Sequence, residues 1–570
     1  MYVKDKMVLQ LISLLKKFGI SKIVVSPGSR HNKLVNSLQY DPFFKLYLVV
    51  DERSAAFFAL GLIQETGEPV AVTCSSGTAC MNYGSAIVEA FYQRLPLLVL
   101  SSDRVPELLN QCEDQMYDQV STFVKCTKYH CQLPVIDTPM DEWYCNRIIN
   151  EALIELTHHG RGPVHINIPF AAHHGTSYNV AELPDVRKIS IHQLPISNND
   201  WKGYADRLKD KKVMIIWGQS VFPLADVEKA ENAFAEKFDS VVLTDKMSNC
   251  HCDNAILNTS IALKVIKPNQ ISSLKPDIVI TVGANYIFNN EIKQWLKGLP
   301  IEHWQVGRED KVCDPFRMLT DIFEMPEEYF FNMLTNNAAG VKADYYSNWL
   351  NVSNIPSIPE MQYNELYAIT TLLKALPKDC DLQLANSQTI RMANFIPIDP
   401  SIRVNCNRGV NGIDGSLSTA VGFGAESDRP LFYITGELSF FYDMNAISIK
   451  HLSKKMRILL INNEGGAVMY DQPKNTPTEQ LPIYLAAGQK KNAKGWVETM
   501  GFKYLAAHNI NEVETGIKVL LDTTIDQPIL LEVFSNLSDD RFCINEYITS
   551  QDPRTFVEKV ESRLMNIIKK

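Results

Sequence analysis

The stretch Thr435–Gly466, TGELSFFYDMNAISIKHLSKKMRILLINNEGG, fixes the fold class of the chain. The apolar run Leu431–Thr435 leads into it and ends in Gly436-Glu437. A pattern read as an amphipathic helix follows, and a second apolar run, Arg457–Ile461, ends in Asn462-Asn463-Glu464-Gly465-Gly466. Strand, helix and strand in this order form a crossover unit that delivers both strand ends to one edge of a parallel sheet. Ligands bind at such edges. One carboxylate, Glu437, and one amide, Asn463, arrive there 26 positions apart. Hard oxygen ligands of this kind suit magnesium, which is held by one or two carboxylates together with phosphate oxygens. A helix N-terminus nearby favours the phosphate itself. The stretch alone is equally explained as a structural crossover with polar turns, so a metal-diphosphate site needs support from elsewhere in the chain.

Length and charge bound the alternatives. A chain of 570 residues should hold about three domains. Its net charge of −9 gives no overall attraction to nucleic acid or to an acidic membrane. The twelve cysteines contain no CxxC pair, which points to reduced thiols and a cytoplasmic protein. Cys250-His251-Cys252 offers too few ligands for a zinc site. Met7–Phe18 carries helical spacing interrupted by Lys16 and Lys17, unlike a signal peptide, and no apolar run is long enough for an integral membrane span.

The spacing predicts an α/β protein of three domains, each a mainly parallel sheet flanked by helices: 1–185, 186–350 and 351–570. In the first, strands at Lys22–Val25, Lys45–Val50, Pro69–Thr73 and Pro96–Leu100 end in SPGSR (26–30), DERS (51–54), CSSGT (74–78) and SSDR (101–104), with a last strand in 163–169. Those polar ends should line one edge. The second has strands at Val213–Trp217, Ser240–Thr244 and Asp277–Val282 but no acidic or Gly-rich phosphate loop, so its expected role is architectural. The third has strands at Asp381–Ala385, Arg403–Cys406, Leu431–Thr435, Arg457–Ile461 and Ile529–Val533, and reads as the same kind of unit as the first. Polar stretches near 197–200 and 351–359 read as linkers.

A Gly-acid turn followed by Asn on the last domain, with an acid at a strand end on the first, resembles the thiamin-diphosphate enzymes. The ordered set SPGSR, DERS, CSSGT, Ser102-Asp103-Arg104, Asn407-Arg408-Gly409, Gly412-Ile413-Asp414-Gly415, Gly436-Glu437-Leu438-Ser439 and Asn462–Gly466 narrows this. It is similar to the menaquinone-pathway synthases that join 2-oxoglutarate to isochorismate.

The resemblance implies thiamin diphosphate with Mg2+ or Mn2+ as cofactors, and a decarboxylating carboligase acting on small molecules. It makes Glu52 the catalytic carboxylate beside the pyrimidine ring, where a plain helix-capping acid is the other reading. It makes Ile413, beside Gly412, the apolar prop that bends the cofactor, with Gly436, Glu437, Leu438, Ser439, Asn463 and Gly465 around the diphosphate. The metal ligands would be Glu437, where the family usually has Asp, Asn463 and the Gly465 carbonyl. Ser387, Arg391 and Arg408 match a donor-carboxylate site, and Ser29, Arg30, Arg104 and Gln115 an acceptor site. After Asp277–Val282 the family carries a basic pair where this chain has Asn290 and Glu291, followed by Lys293. The resemblance also implies a homodimer or homotetramer with active sites between subunits. A related enzyme with another acceptor, or a non-catalytic homologue, are the alternatives that these departures leave open.

Overall fold

The computed structural model describes residues 1–170, 177–189, 198–220, 224–308, 313–338, 344–353, 361–471, 481–552 and 554–555. It contains three six-stranded sheets, and every strand pair in them is parallel. The first comprises β1 (Lys22–Val25), β2 (Lys45–Leu48), β3 (Val70–Cys74), β4 (Leu97–Asp103), β5 (Tyr129–Gln132) and β6 (Val164–Pro169). The middle sheet comprises β7 (Val213–Trp217), β8 (Ser240–Thr244), β9 (Ala255–Ile256), β10 (Ile278–Val282), β11 (Glu302–Gly307) and β12 (Leu319–Glu324). The third comprises β13 (Asp381–Leu384), β14 (Arg403–Cys406), β15 (Leu431–Gly436), β16 (Met456–Asn462), β17 (Lys503–Ala507) and β18 (Ile529–Phe534).

The first and third sheets have one topology. Their orders, β2-β1-β3-β4-β6-β5 and β14-β13-β15-β16-β18-β17, coincide strand for strand. The middle sheet runs β12-β11-β10-β7-β8-β9, a doubly wound order whose direction of winding reverses between β7 and β10. At that reversal Gly218 N–H bonds Val282 O at 2.9 Å and Ala284 N–H bonds Gln219 O at 2.8 Å. A Cβ on Gly218 would stand 1.9 Å from Ala284 O, so the two loops meet backbone to backbone.

Five strands have no counterpart among the apolar runs. β5, β9, β12 and β17 flank their sheets and are only partly buried, which removes the continuous apolar signature. β11, EHWQVG, is interior, but buried His303 and Gln305 break its run. The connection from β15 to β16 differs from the amphipathic helix expected there: a helix of six residues, Glu437–Tyr442, is followed by a 3-10 turn, Met444–Ser448. The expected linkers lie largely outside the described residues. Asn198–Asp200 open a helix, and Asn351–Ser353 close another.

The first and third sheets are joined by two crossing helices, Glu52–Thr66 and Ser416–Gly424. Both are nearly all buried, so their apolar character is continuous rather than striped. A Cβ on Gly61 would lie 2.0 Å from Thr419 O, and one on Gly422 would lie 2.0 Å from Phe58 O. Backbones at that separation admit only glycine. Phe57, Phe58, Leu417 and Val421 share the surrounding core, and each such side chain stabilises the junction by roughly 1.5–3 kcal/mol.

Candidate active site

Parallel pairing of β15 with β16 sets Gly436 opposite Ile461, so Glu437 and Asn463 leave adjacent strands at one edge. The Glu437 carboxyl lies against the backbone of Asn463 and Gly465. Burial, the larger effect, pushes its pKa up to about 7, while the backbone N–H groups of Glu437, Gly465 and Asn463 around it favour its ionised form. Glu437 Oε1 and Asn463 Oδ1 are both buried without a hydrogen-bond partner. Two orphaned buried oxygens on neighbouring strand ends cost several kcal/mol unless something electropositive satisfies them. A hard divalent cation satisfies that requirement, so these residues fit a magnesium ion, and the longer Glu arm is accommodated at 5% exposure.

Gly436 caps the short helix that Glu437 opens, and no atom lies within 4 Å of where its Cβ would be, which leaves room beside the turn. Ser439 Oγ donates to Ile413 O at 2.8 Å, and Asn386 Nδ2 donates to Gly412 O at 2.6 Å. The loop carrying Ile413 is thereby pinned while its side chain stays exposed at 36%, unusual for isoleucine and suited to propping a ligand. Leu438 reaches back toward Gly466.

Glu52 is the first residue of the Glu52–Thr66 helix and is half-buried. The capping role belongs to Asp51, whose side chain accepts from Ser54 N–H at 2.9 Å, so Glu52 is not spent on the helix terminus. The next residues tie this helix start to the end of the Glu437–Tyr442 helix. Arg53 donates to Tyr442 O at 3.0 Å and stands 3.8 Å from Asp443. Asp443, fully buried with its pKa pushed up to about 6 by burial, accepts from Ser418 N–H at 2.7 Å and Ser418 Oγ at 2.8 Å.

Arg30 and Arg104 face one another closely enough that burial and the second cation both lower the pKa of Arg30. Arg30 Nε is buried without a partner. Arg104 Nη1 donates to Gln115 O at 3.5 Å, and Gln115 holds a positive φ of 54° against Gly77. Ser29 is exposed at the same loop. The structure thus assembles Arg30, Arg104 and Gln115 at the ends of β1 and β4. It adds Glu113, whose carboxylate lies 3.2 Å from Arg104 Nε and which sequence reasoning missed.

Across the third sheet, Ser387 caps the Gln388–Ala393 helix with φ 77°, Arg391 lies in its last turn, and Arg408 follows β14. Both arginines act on the buried Cys406 thiol, whose pKa is nevertheless raised by burial. Arg408 Nη1 donates to Asn386 Oδ1 at 3.4 Å, and its Nε is buried without a partner. The Arg408 loop is held from outside its own sheet. Asn285 Nδ2 donates to Arg408 O at 2.9 Å and Gly409 O at 3.0 Å, Gln219 Nε2 donates to Cys406 O at 2.8 Å, and Glu89 accepts from Gly409 and Val410 N–H. These tethers have no motif, and only the packing of the sheets reveals them.

Glu291 pairs with Lys264 at 3.3 Å, and Lys293 lines a cavity of about 360 Å3 with Arg94, Arg161 and Tyr286. Cys250 and Cys252 thiols are buried 3.4 Å apart. Among the described residues no helix is long and apolar enough to cross a membrane.

Comparison with known proteins places these features in context. A family profile described as the N-terminal TPP binding domain of thiamine pyrophosphate enzymes matches residues 6–122. Over 96% of this chain and 98% of its own length, a protein of Phocaeicola vulgatus is 38% identical. One from Bacteroides thetaiotaomicron is also 38% identical, over 96% of this chain and 99% of its own. One from Flavobacterium johnsoniae is 32% identical over 96% and 99%. All three carry the name 2-succinyl-5-enolpyruvyl-6-hydroxy-3-cyclohexene-1-carboxylate synthase.

Proposed function

This chain belongs to the family of thiamin-diphosphate-dependent 2-succinyl-5-enolpyruvyl-6-hydroxy-3-cyclohexene-1-carboxylate synthases, and on that premise we propose how its residues divide the work. The enzyme is a carboligase of menaquinone biosynthesis: it removes carbon dioxide from 2-oxoglutarate and adds the remaining four-carbon unit to isochorismate. Thiamin diphosphate, when bound, supplies the nucleophilic carbon and the electron sink that the decarboxylation needs. Glu52 holds the proton on the cofactor's pyrimidine nitrogen, a role supported by its freedom from capping. Ile413 supports the bend between the cofactor rings. Glu437, Asn463 and the Gly465 carbonyl would hold Mg2+ or Mn2+, which would offset the negative charge of the diphosphate.

Ser387, Arg391 and Arg408 bind the distal carboxylate of 2-oxoglutarate, and Ser29, Arg30, Arg104 and Gln115 bind the dicarboxylate acceptor. Planar guanidinium groups meet carboxylates with two parallel hydrogen bonds, and each of the two sites offers two such groups. The reading further makes 1–185, 186–350 and 351–570 the pyrimidine, middle and diphosphate domains of a cytoplasmic homodimer or homotetramer with active sites between subunits.

The observation that carries the reading is the pair of orphaned oxygens on Glu437 and Asn463. The test is mass-spectrometric identification of the product from 2-oxoglutarate with and without isochorismate. The adduct should form only with both, and only with metal and thiamin diphosphate present. Glu52→Gln should lower turnover by at least about a hundredfold with the fold unchanged; near-normal turnover would overturn the assignment.

A further inference from the structure

We propose that Asp540, on the short helix Leu537–Asp540 after β18, is the positioning residue that turns the Asn463 amide so that its oxygen faces the metal. The inference rests on the reading of Glu437 and Asn463 as metal ligands and extends it to a residue with no motif of its own.

A side-chain amide presents an acceptor on one side and two donors on the other, and rotation by half a turn exchanges them. Nothing in Asn463 itself chooses between the two. Asp540 does. Its Oδ2 lies 2.8 Å from Asn463 Nδ2, and an ionised carboxylate can only accept, so the amide must show it the NH2 group. The Asn463 oxygen is then directed away from Asp540, and it is left buried without a partner, as is Glu437 Oε1.

Asp540 is itself held so that it cannot turn. It is fully buried. Oδ1 accepts from the backbone N–H of Glu365 at 2.8 Å, and Oδ2 also accepts from Ser535 Oγ at 2.5 Å. Ser535 is fixed in turn by its N–H to Asn462 O at 3.1 Å, beside the ligand being aimed. Three donors converge on the carboxylate from three segments of the third sheet unit. A side chain oriented in this way is the outer partner that metal sites use to fix a ligand, and its loss typically costs 10–100-fold in affinity.

Asp540→Asn tests this with almost no change of shape. The new amide has one oxygen, which the Glu365 N–H claims, so its NH2 meets Asn463 and drives that amide to the opposite orientation, donors toward the metal. Asn463→Asp in the same chain offers the new NH2 an acceptor and returns an oxygen to the metal at unchanged net charge. Mn2+ binding to the full-length protein is measured by electron paramagnetic resonance with saturating thiamin diphosphate, alongside the melting temperature. D540N should weaken Mn2+ binding at least about tenfold. Asn463→Asp alone, which sets carboxylate against carboxylate, should weaken it too. The double variant should return to within a few-fold of the parent. Excess Mn2+ should restore turnover in D540N without altering the KM for 2-oxoglutarate.

Parent-like Mn2+ affinity in D540N, or a double variant no better than the single ones, would overturn the inference while leaving the metal site standing. Failure of the parent to retain Mn2+ with thiamin diphosphate would overturn both. If one single variant does not fold, the other single and the double still report the exchange.

Discussion

Arg104 carries its own counter-ion. Glu113 sits 3.2 Å away, with 39% of its side chain exposed, and in the proposed acceptor site a substrate carboxylate would compete with it for the same guanidinium. Glu113→Gln should therefore lower the KM for the acceptor several-fold and leave kcat within about twofold, since exposed pairs contribute up to about 1 kcal/mol. Initial-rate kinetics with isochorismate varied would show it; an unchanged or raised KM would assign Glu113 to acceptor binding instead.

Glu65 raises a different electrostatic question. It lies 2.8 Å from Arg403, yet its pKa is pushed up to about 7, because burial outweighs the arginine and Asp381 repels it. In the unfolded chain the group ionises near 4.3. Between those values the folded state binds the extra proton, so the contribution of Glu65 to stability is greatest at low pH and falls as pH rises toward 7. Compared by chemical denaturation, Glu65→Gln should gain on the parent as pH increases from 5 to 8. A difference independent of pH would show that the carboxyl is ionised throughout.

Glu437 and Asn463 are legible in the sequence because a Gly-acid turn and an Asn-Asn-x-Gly-Gly turn close adjacent parallel strands. Asp540 is not: it follows a different strand, in a segment of ordinary loop composition, and meets Asn463 across 77 positions.

At the scale of elements, the loops leaving β7 and β10 serve the third sheet. Sequence composition gave the middle unit an architectural role, and the contacts make that role specific: Asn285 and Gln219 hold the backbone of the loop that presents Arg408. Removing Asn285 deletes hydrogen bonds with a net value near 1 kcal/mol. Asn285→Ala should raise the KM for 2-oxoglutarate about fivefold with a smaller effect on kcat. An unchanged KM would mean that Gln219, Asn386 and Glu89 position Arg408 without Asn285. Most strands are legible from their apolar runs, the edge strands β2 and β14 among them. The edge strands β5, β9, β12 and β17 are not, because a half-exposed strand such as LTDIFE (319–324) spends half its positions on polar residues, and interior β11 is interrupted by His303 and Gln305. The short helix after Gly436 reads as a longer one because apolar Phe440, Met444 and Ile447 recur at the i, i+4, i+7 spacing of one helical face while divided between a helix and a 3-10 turn.

For the whole molecule, the shared strand order of the first and third sheets means that one architecture supplies both polar edges. That likeness was visible in the sequence as two series of strands ending in polar turns, whereas the strand order was not, since no local pattern records which strands are neighbours. The junction between the two is set by Gly61 and Gly422. Gly61→Ala places a methyl carbon 2.0 Å from Thr419 O, far inside van der Waals contact, and the helices must separate. We expect a loss of about 3 kcal/mol or more in urea denaturation; a parent-like midpoint would mean that the crossing is far looser than its geometry. Light scattering at micromolar concentration should show a dimer or tetramer, and a monomer retaining activity would contradict sites shared between subunits.

The crossing glycines bear on inheritance as well. The Glu52–Thr66 and Ser416–Gly424 helices touch through backbone, so each surface tolerates only the shape it already meets. The middle unit reaches main-chain atoms of Val404, Cys406, Arg408 and Gly409, which exist whatever residues carry them, but it also shares a continuous apolar core with the third. Exchange of gene segments between distant relatives should therefore fail for the first unit alone, so that the first and third travel through evolution as one linked block.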